Sequence, residues 1–300
     1  HTHTTPSLFE TFTLKIGKDS IINQKEKSSN LDLKAYDGLD SMYSSKNISI
    51  IDLLNKIDKK TILLSNQGRT GFWNFAASLI FSNASNKIYS TSYLGEMSFS
   101  NKVEHQASRP LDDIFFRNNF NNLIDNSNAD FYILHSYAGH GPYKKYISQN
   151  YSAMIDNFYQ DIDERAIFGK AYINGSINEV EGYDSTMSYI DSVIHEILLK
   201  INSLKEPMAF IYLSDHGESP FTLAGHDSSR FVGEMLSIPF ILFINDAAAK
   251  IRPDLVKKLK SLEMNNYATL NELPSLIFDI LAVDVTFKNE TYNLCYFGNQ

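Results

Sequence analysis

The sequence predicts an α/β fold with a mostly parallel central sheet. Two observations carry this expectation: short apolar runs end abruptly in glycine-rich polar turns, and segments with helical spacing alternate with those runs. Six apolar residues, Met208 to Leu213, run directly into Ser214, Asp215, His216, Gly217, Glu218 and Ser219. Ala129–Tyr143 repeats the design, with Phe131 to Leu134 leading into a turn that carries His140 between Gly139 and Gly141. Both apolar runs read as buried strands.

In chain order, Leu8, Phe9, Phe12 and Leu14 follow His1-Thr2-His3-Thr4-Thr5-Pro6-Ser7, which predicts a helix starting near Thr4 or Thr5 with Pro6 in its first turn. Lys15–Met42 is polar and irregular and is expected to be loop. Ser49–Ile57 spaces Ile50, Ile51, Leu53, Leu54 and Ile57 as one helical face, and Thr61–Leu64 then reads as a strand ending at Ser65-Asn66-Gln67-Gly68-Arg69. A helix-strand-loop unit of this kind implies parallel pairing. Ser82–Pro110 is again polar and irregular. Thr186–Leu204 places Tyr189, Ile190, Val193, Ile194, Ile197, Leu198 and Ile201 on one face, as a packing helix should. Ser237–Ile244 reads as a further buried strand, and Asn271–Leu281 as a late helix with Pro274 in its first turn.

Composition bounds the function. Three hundred residues at 43% hydrophobic content can bury one large core, and no repeat or low-complexity linker asks for a second domain. Apolar runs such as Ile238–Ile244 fall far short of the roughly 20 residues a membrane helix needs. A net charge of -8 disfavours nucleic acid as a partner. Cys295 is the single cysteine, so no internal disulfide forms. Most aromatic residues belong to the core, but Phe72, Trp73 and Phe75 follow Arg69 in a loop whose rings suit a bilayer interface.

The chemistry gathers where strands end. Ligands of open α/β sheets bind outside the carboxyl ends of the strands. There a turn begun at Gly217 can swing Asp215 and His216 toward one centre, and a carboxylate oxygen beside an imidazole nitrogen suits zinc. The plain alternative is a hydrogen-bonded loop. Gly225-His226-Asp227 follows within ten residues. His140 and His226, on irregular segments beside this site, read as functional, whereas His135, still within its strand, reads as a hydrogen-bonded core imidazole, and His105 and His195 lack such a setting. Arg69 at a strand end is placed either to touch a phosphate or sugar acid or to be a solvated loop charge. A Ser/Thr hydroxyl near the first helix is either an ordinary cap or a nucleophile. At a helix N-terminus it sees free N–H groups and the positive dipole end, and zinc coordination would lower its pKa.

Taken together, Thr4 with Ser7, the turn Ala138-Gly139-His140-Gly141-Pro142-Tyr143, the run Tyr183-Asp184-Ser185-Thr186 expected to start a helix, Ser214–Ser219, His226 and the strand entry Ile238-Pro239 occur in an order that resembles bacterial phosphoethanolamine transferases. These are inner-membrane enzymes whose periplasmic domain belongs to the alkaline phosphatase and sulfatase superfamily. The resemblance implies an alkaline phosphatase/sulfatase-like α/β/α sandwich, with residues 1–300 forming a single periplasmic catalytic domain and the membrane region upstream. It implies one zinc ion or two, phosphatidylethanolamine as donor, a phosphothreonine intermediate, and a lipopolysaccharide acceptor, either core sugar or lipid A. By the same resemblance Thr4 is the nucleophile and a zinc ligand, Asp215 and His216 are zinc ligands, and His140 and His226 hold the transferred phosphate or an extra zinc. Glu218 supports those groups from behind. A further zinc-binding glutamate of the family is expected upstream of His1.

The family's pattern sets a serine three residues and an apolar residue four residues after the nucleophile, which Ser7 and Leu8 satisfy only from Thr4. In the sulfatase frame Cys-x-Pro-x-Arg, Thr4 stands for the cysteine and Leu8 for the arginine, so sulfate-ester hydrolysis is disfavoured. The single cysteine is similar to cysteine-poor members that modify the lipopolysaccharide core. The alternatives are a sulfatase-like phosphodiesterase and an inactive lipid- or lipopolysaccharide-binding module.

Overall fold

A computed structural model describes residues 4–15, 21–24, 27–32, 47–69, 75–91, 110–151, 177–220, 225–226, 232–263 and 269–286. In chain order these form α1 (Thr4–Phe12), β1 (Thr13–Lys15), β2 (Ile21–Gln24), β3 (Lys27–Asp32), β4 (Asn47–Ser49), α2 (Ile50–Lys56), β5 (Thr61–Gly68), α3 (Phe75–Ile80), β6 (Asn86–Thr91), α4 (Asp112–Asn126) and β7 (Phe131–His135). The long helix α5 (Ile177–Asn202) follows, then β8 (Ala209–Leu213), β9 (Phe240–Ile244), α6 (Asp246–Ile251), α7 (Pro253–Glu263), α8 (Leu273–Ile280) and β10 (Val283–Thr286).

The centre is a parallel sheet in the order β6-β5-β7, with Ile62 opposite Asn86 on one side and Tyr132 on the other. Its strands alternate their side chains between two cores. Leu63 and Ile133 join a core built with Leu8 of α1, Ile50, Ile51, Leu53 and Leu54 of α2, Ala77 and Ile80 of α3, and Leu273, Ile277 and Phe278 of α8. Leu64, Tyr132 and Leu134 join the opposite core, with Phe115, Phe116 and Phe120 of α4 and Tyr189, Val193, Ile197 and Ile201 of α5. Strand β8 divides itself the same way, Ile211 and Leu213 to the first core and Phe210 to the second. The result is a three-layer α/β/α sandwich, as the sequence predicts.

Several boundaries differ from the sequence reading. Strand β5 continues through Ser65–Gly68, because pairing to β6 resumes at Gly68 opposite Thr91 after an irregularity. The expected strand loop is therefore strand. Parts of the two segments read as irregular are ordered: β2, β3 and β6 lie within them. Helix α5 begins at Ile177, nine residues before Thr186, so Tyr183–Thr186 sits inside the helix. The strand expected over Ser237–Ile244 is shorter and antiparallel to β8, and with Phe240 40% and Ile241 36% exposed it is not the buried strand the sequence predicts. The strand Ala209–Leu213 is half-buried along its length, as is β7. Helix α8 starts at Leu273 with Pro274 in its first turn, after a capping box between Thr269 and Glu272. His105, Phe72, Trp73, Asp227 and Cys295 lie outside the described residues. No helix among the described residues is long and apolar enough to cross a membrane.

Candidate active site

Helix α1 and the segment after β8 bring Thr4, Asp215 and His216 together. Thr4 Oγ1 lies 3.4 Å from His216 Nε2, and Asp215 Oδ2 lies 3.6 Å from the same nitrogen. Ser7, one helical turn past Thr4, donates from Oγ to the backbone carbonyl of Asp215, tying the start of α1 to the segment that carries both side chains. Ser7 is 3% exposed, and Leu8 beside it sits in the first core, so the position of Thr4 is set by packing as well as by this bond. Gly217 follows because nothing larger fits: a Cβ there would overlap the carbonyl oxygens of Glu234 and Ser237, while its N–H donates to Met235 O at 2.8 Å. His216 Nδ1 lies 3.0 Å from Gly217 O, which directs Nε2 toward Thr4 and Asp215.

A second group adjoins the first. The ring centroids of His216 and His226 are 4.2 Å apart, and one ligand atom each of His216, Glu218 and His226 lies within 4.8 Å of the others. His226 Nδ1 is 2.7 Å from Glu218 Oε1, and Tyr143 OH donates to Glu218 Oε2 at 3.3 Å. Burial, and next the Glu218 carboxylate, push the Tyr143 phenol far above its usual range, so it stays a donor. Burial also raises Tyr183, again with Glu218 contributing, and pushes Tyr212 up to about 12.

His140 approaches from the β7 side, 6.4 Å centroid to centroid from His226, stacked on Tyr137 and exposed to solvent. Its turn is held by Asp112, 2% exposed, whose carboxylate accepts from Tyr137 N, Ala138 N (2.8 Å) and Asn66 Nδ2 (2.6 Å). Asp112→Ala would leave those donors unsatisfied; a loss of about 2–4 kcal/mol in stability is expected, read as a lower urea midpoint. The same turn is anchored on α5, where Lys144 Nζ donates to the buried Glu181 Oε1 at 2.7 Å.

His135 is hydrogen-bonded as the sequence predicts but only half-buried rather than in the core: Gln67 Nε2 donates to its Nε2 at 3.1 Å and Ser65 Oγ lies 2.9 Å from Nδ1. His195 is exposed on α5. Arg69 directly follows β5 and is exposed, its charge near Tyr89. The structure thus gathers Thr4, Asp215, His216, Glu218 and His226, with His140 at the rim. Sequence reasoning missed Tyr143 and Asp112. The Pro142-Tyr143 pair ending the glycine turn was a signal for the first; nothing in the sequence marks Asp112 beyond its place at a helix start.

Donors at these spacings can hold a metal ion. Zinc bonds of about 2.0–2.1 Å at tetrahedral angles set ligand atoms roughly 3.3–3.4 Å apart, close to the separations of Thr4 Oγ1 and Asp215 Oδ2 from His216 Nε2. A hydroxyl and a carboxylate that both approach one imidazole nitrogen are of the oxygen and nitrogen donor types that zinc accepts.

Residues 1–273 match the sulfatase family, and the chain belongs to it. Among curated proteins it is similar to phosphoethanolamine transferase EptA of Helicobacter pylori, at 28% identity over 199 residues. That match covers 64% of this chain and 36% of the relative, so the matched part spans about a third of that protein's length. The fold is similar to the C-terminal periplasmic domain of Escherichia coli EptC in complex with zinc, at TM-score 0.65 and 17% identity, covering 94% of this chain and 69% of that one. It is also similar to the soluble domain of lipooligosaccharide phosphoethanolamine transferase A from Neisseria meningitidis, at TM-score 0.59 and 17% identity, covering 94% and 73%.

Proposed function

We propose that the chain is the catalytic part of a zinc-dependent phosphoethanolamine transferase that takes phosphoethanolamine from phosphatidylethanolamine onto Thr4 and passes it to a lipopolysaccharide acceptor. The observation that carries this reading is the convergence of Thr4 Oγ1 and Asp215 Oδ2 on His216 Nε2 at 3.4 and 3.6 Å. The similarity to EptA and the sulfatase family membership support it.

Thr4, Asp215 and His216 would hold the zinc, which when bound lowers the pKa of the Thr4 hydroxyl and offsets negative charge on phosphate oxygens. Thr4 Oγ1 forms a bond to the donor phosphorus while the bond to the diacylglycerol oxygen breaks, and the proton lost by Thr4 ends on diacylglycerol. The free N–H groups of the first turn of α1 face the phosphate that then sits on Thr4. His226, and His140 from the rim, hold its oxygens. An acceptor hydroxyl next attacks phosphorus from the opposite side, its proton returning to Thr4 Oγ1 as that oxygen leaves. Arg69 at the end of β5 is assigned to a phosphate or acidic sugar of the substrates.

The acceptor expected is a sugar or sugar phosphate of the lipopolysaccharide core, with the catalytic part in the periplasm and the whole protein anchored in the inner membrane. The net charge of -8 offers no broad basic surface for lipid A phosphates, and Lys144 is turned onto Glu181. Mass spectrometry of lipopolysaccharide from cells with and without the full-length protein, after separating lipid A from core, tests this. Phosphoethanolamine confined to lipid A would overturn the acceptor. Free phosphoethanolamine released without acceptor as fast as it is transferred would make the protein a hydrolase.

A further inference from the structure

His140 is exposed, so burial does not fix its ring and the turn beneath it must. The ladder between β5 and β7 ends with Ser65 opposite His135, and from there side chains hold the backbone. Gln67 Nε2 donates to Ser136 O at 3.2 Å. Asp112 accepts from the next two N–H groups, Tyr137 N at 3.1 Å and Ala138 N at 2.8 Å. Backbone donors that have left a sheet need partners of this kind.

The position of His140 is then referred to Tyr137 twice. Its N–H donates to Tyr137 O at 3.4 Å, and its ring stacks on the Tyr137 ring with centroids 5.7 Å apart and 20° between the planes. Gly139, between them, has φ +106°, a conformation that only glycine adopts freely. A turn hinged on glycine takes its shape from what grips it on either side.

Asp112 grips it from a rigid base. It opens α4, whose Phe115, Phe116 and Phe120 are buried in the second core, and Asn66 Nδ2 holds its Oδ1 from β5 at 2.6 Å. The neighbouring acid is used differently: Asp113 accepts from Tyr189 OH at 2.6 Å, which ties α4 to α5. One carboxylate thus serves the packing of the helix and the other serves the turn.

We propose that Asp112 is a positioning residue for His140, acting through the Tyr137 and Ala138 backbone to hold the imidazole at the rim where the transferred phosphate is bound. The consequence for transfer rests on the proposed function; the hold on the turn does not.

Asp112→Asn tests this on the full-length enzyme, below the unfolding temperature of each variant. The amide keeps the shape of the carboxylate, but one accepting oxygen becomes a donor among N–H groups. Hydrogen exchange, read by mass spectrometry on peptides covering residues 136–141, should be faster in D112N than in the wild type. Asn66→Ala, a milder change that removes one donor from Asp112 Oδ1, should move the same peptides in the same direction and serves if D112N does not fold. With phosphatidylethanolamine as donor, D112N should lower kcat about 10-fold, short of the roughly 100-fold that a misplacement of about 1 Å can cost. His140→Ala should cost at least as much, and D112N combined with H140A should be no slower than H140A alone. Asn245→Ala is the control for stability. That buried amide accepts from Met208 N at 2.9 Å and Ala248 N at 3.0 Å, at the end of β8 away from Asp215, so its loss should lower the unfolding temperature and leave both kcat and the exchange of 136–141 unchanged. Unchanged exchange in D112N or, where that does not fold, in N66A, wild-type kcat in D112N, effects of D112N and H140A that multiply, or an equal loss of kcat in N245A would each overturn the inference. Absence of transfer by the wild type would instead overturn the proposed function, and the exchange of the turn would still decide whether Asp112 holds it.

Discussion

Thr4→Ala is expected to stop transfer, by at least about a thousand-fold, while the protein keeps its fold. The fold should survive because α1 is held by residues other than Thr4. Ser7 donates to the carbonyl of Asp215, Thr11 donates to Ser7 O at 2.7 Å, Leu8 is buried, and Phe12 meets Phe81 edge-on at 5.1 Å. Alanine is also a good helix former. What disappears is the oxygen 3.4 Å from His216 Nε2. Peptide mass spectrometry after incubation with donor should find phosphoethanolamine on Thr4 in the wild type and nowhere in the variant. Thr2→Ala and Thr5→Ala should retain measurable activity, since neither hydroxyl has the Ser7 and Leu8 frame that places Thr4. Label on Thr2 or Thr5 would move the nucleophile and end the role given to the first turn of α1.

Much of this site was legible because its chemistry is written in short segments at strand ends. Asp215 and His216 are neighbours in sequence, and Gly217 has an unmistakable reason to be glycine once the carbonyls of Glu234 and Ser237 are seen behind it. Parallel pairing was legible at β5, whose apolar run follows the helical spacing of Ser49–Ile57 and ends in a polar segment. The start of α5 was not. Gly182, Tyr183, Asp184 and Ser185 have weak helical preference, and the helix runs through them because Tyr143 and Lys144 pack against the bare backbone at Gly182. Tertiary contact overrode local propensity there. The direction of β9 was equally hidden: an apolar run reads the same whether its partner is parallel or antiparallel, and pairing of Phe210 with Phe243 settles it. The contact of Tyr143 with Glu218 was hidden as well, because the two lie 75 residues apart.

Asp215→Asn and His216→Ala are expected to remove zinc with little change in stability. Asparagine keeps the shape of Asp215 and leaves its backbone carbonyl to accept from Ser7, so α1 stays attached. It replaces the carboxylate oxygen proposed to hold zinc by a neutral amide, and affinity should fall by more than about 100-fold, beyond what loss of an outer partner costs. In His216→Ala the nitrogen on which Thr4 and Asp215 converge is gone. The backbone of the segment remains fixed by Gly217 N donating to Met235 O and by Ser214 Oγ donating to His216 O at 2.8 Å. The strand before it keeps its apolar contacts through Phe210, Ile211 and Leu213. Metal analysis of the full-length variants, with thermal unfolding as the control for fold, checks both. Zinc retained at wild-type occupancy in either variant would mean that the ion sits elsewhere, with His226 and Glu218 as the nearest remaining donors. Retained transfer without zinc in Asp215→Asn would be the more serious result, since Thr4 would then need another group to take its proton, and His216, 3.4 Å away, is a candidate.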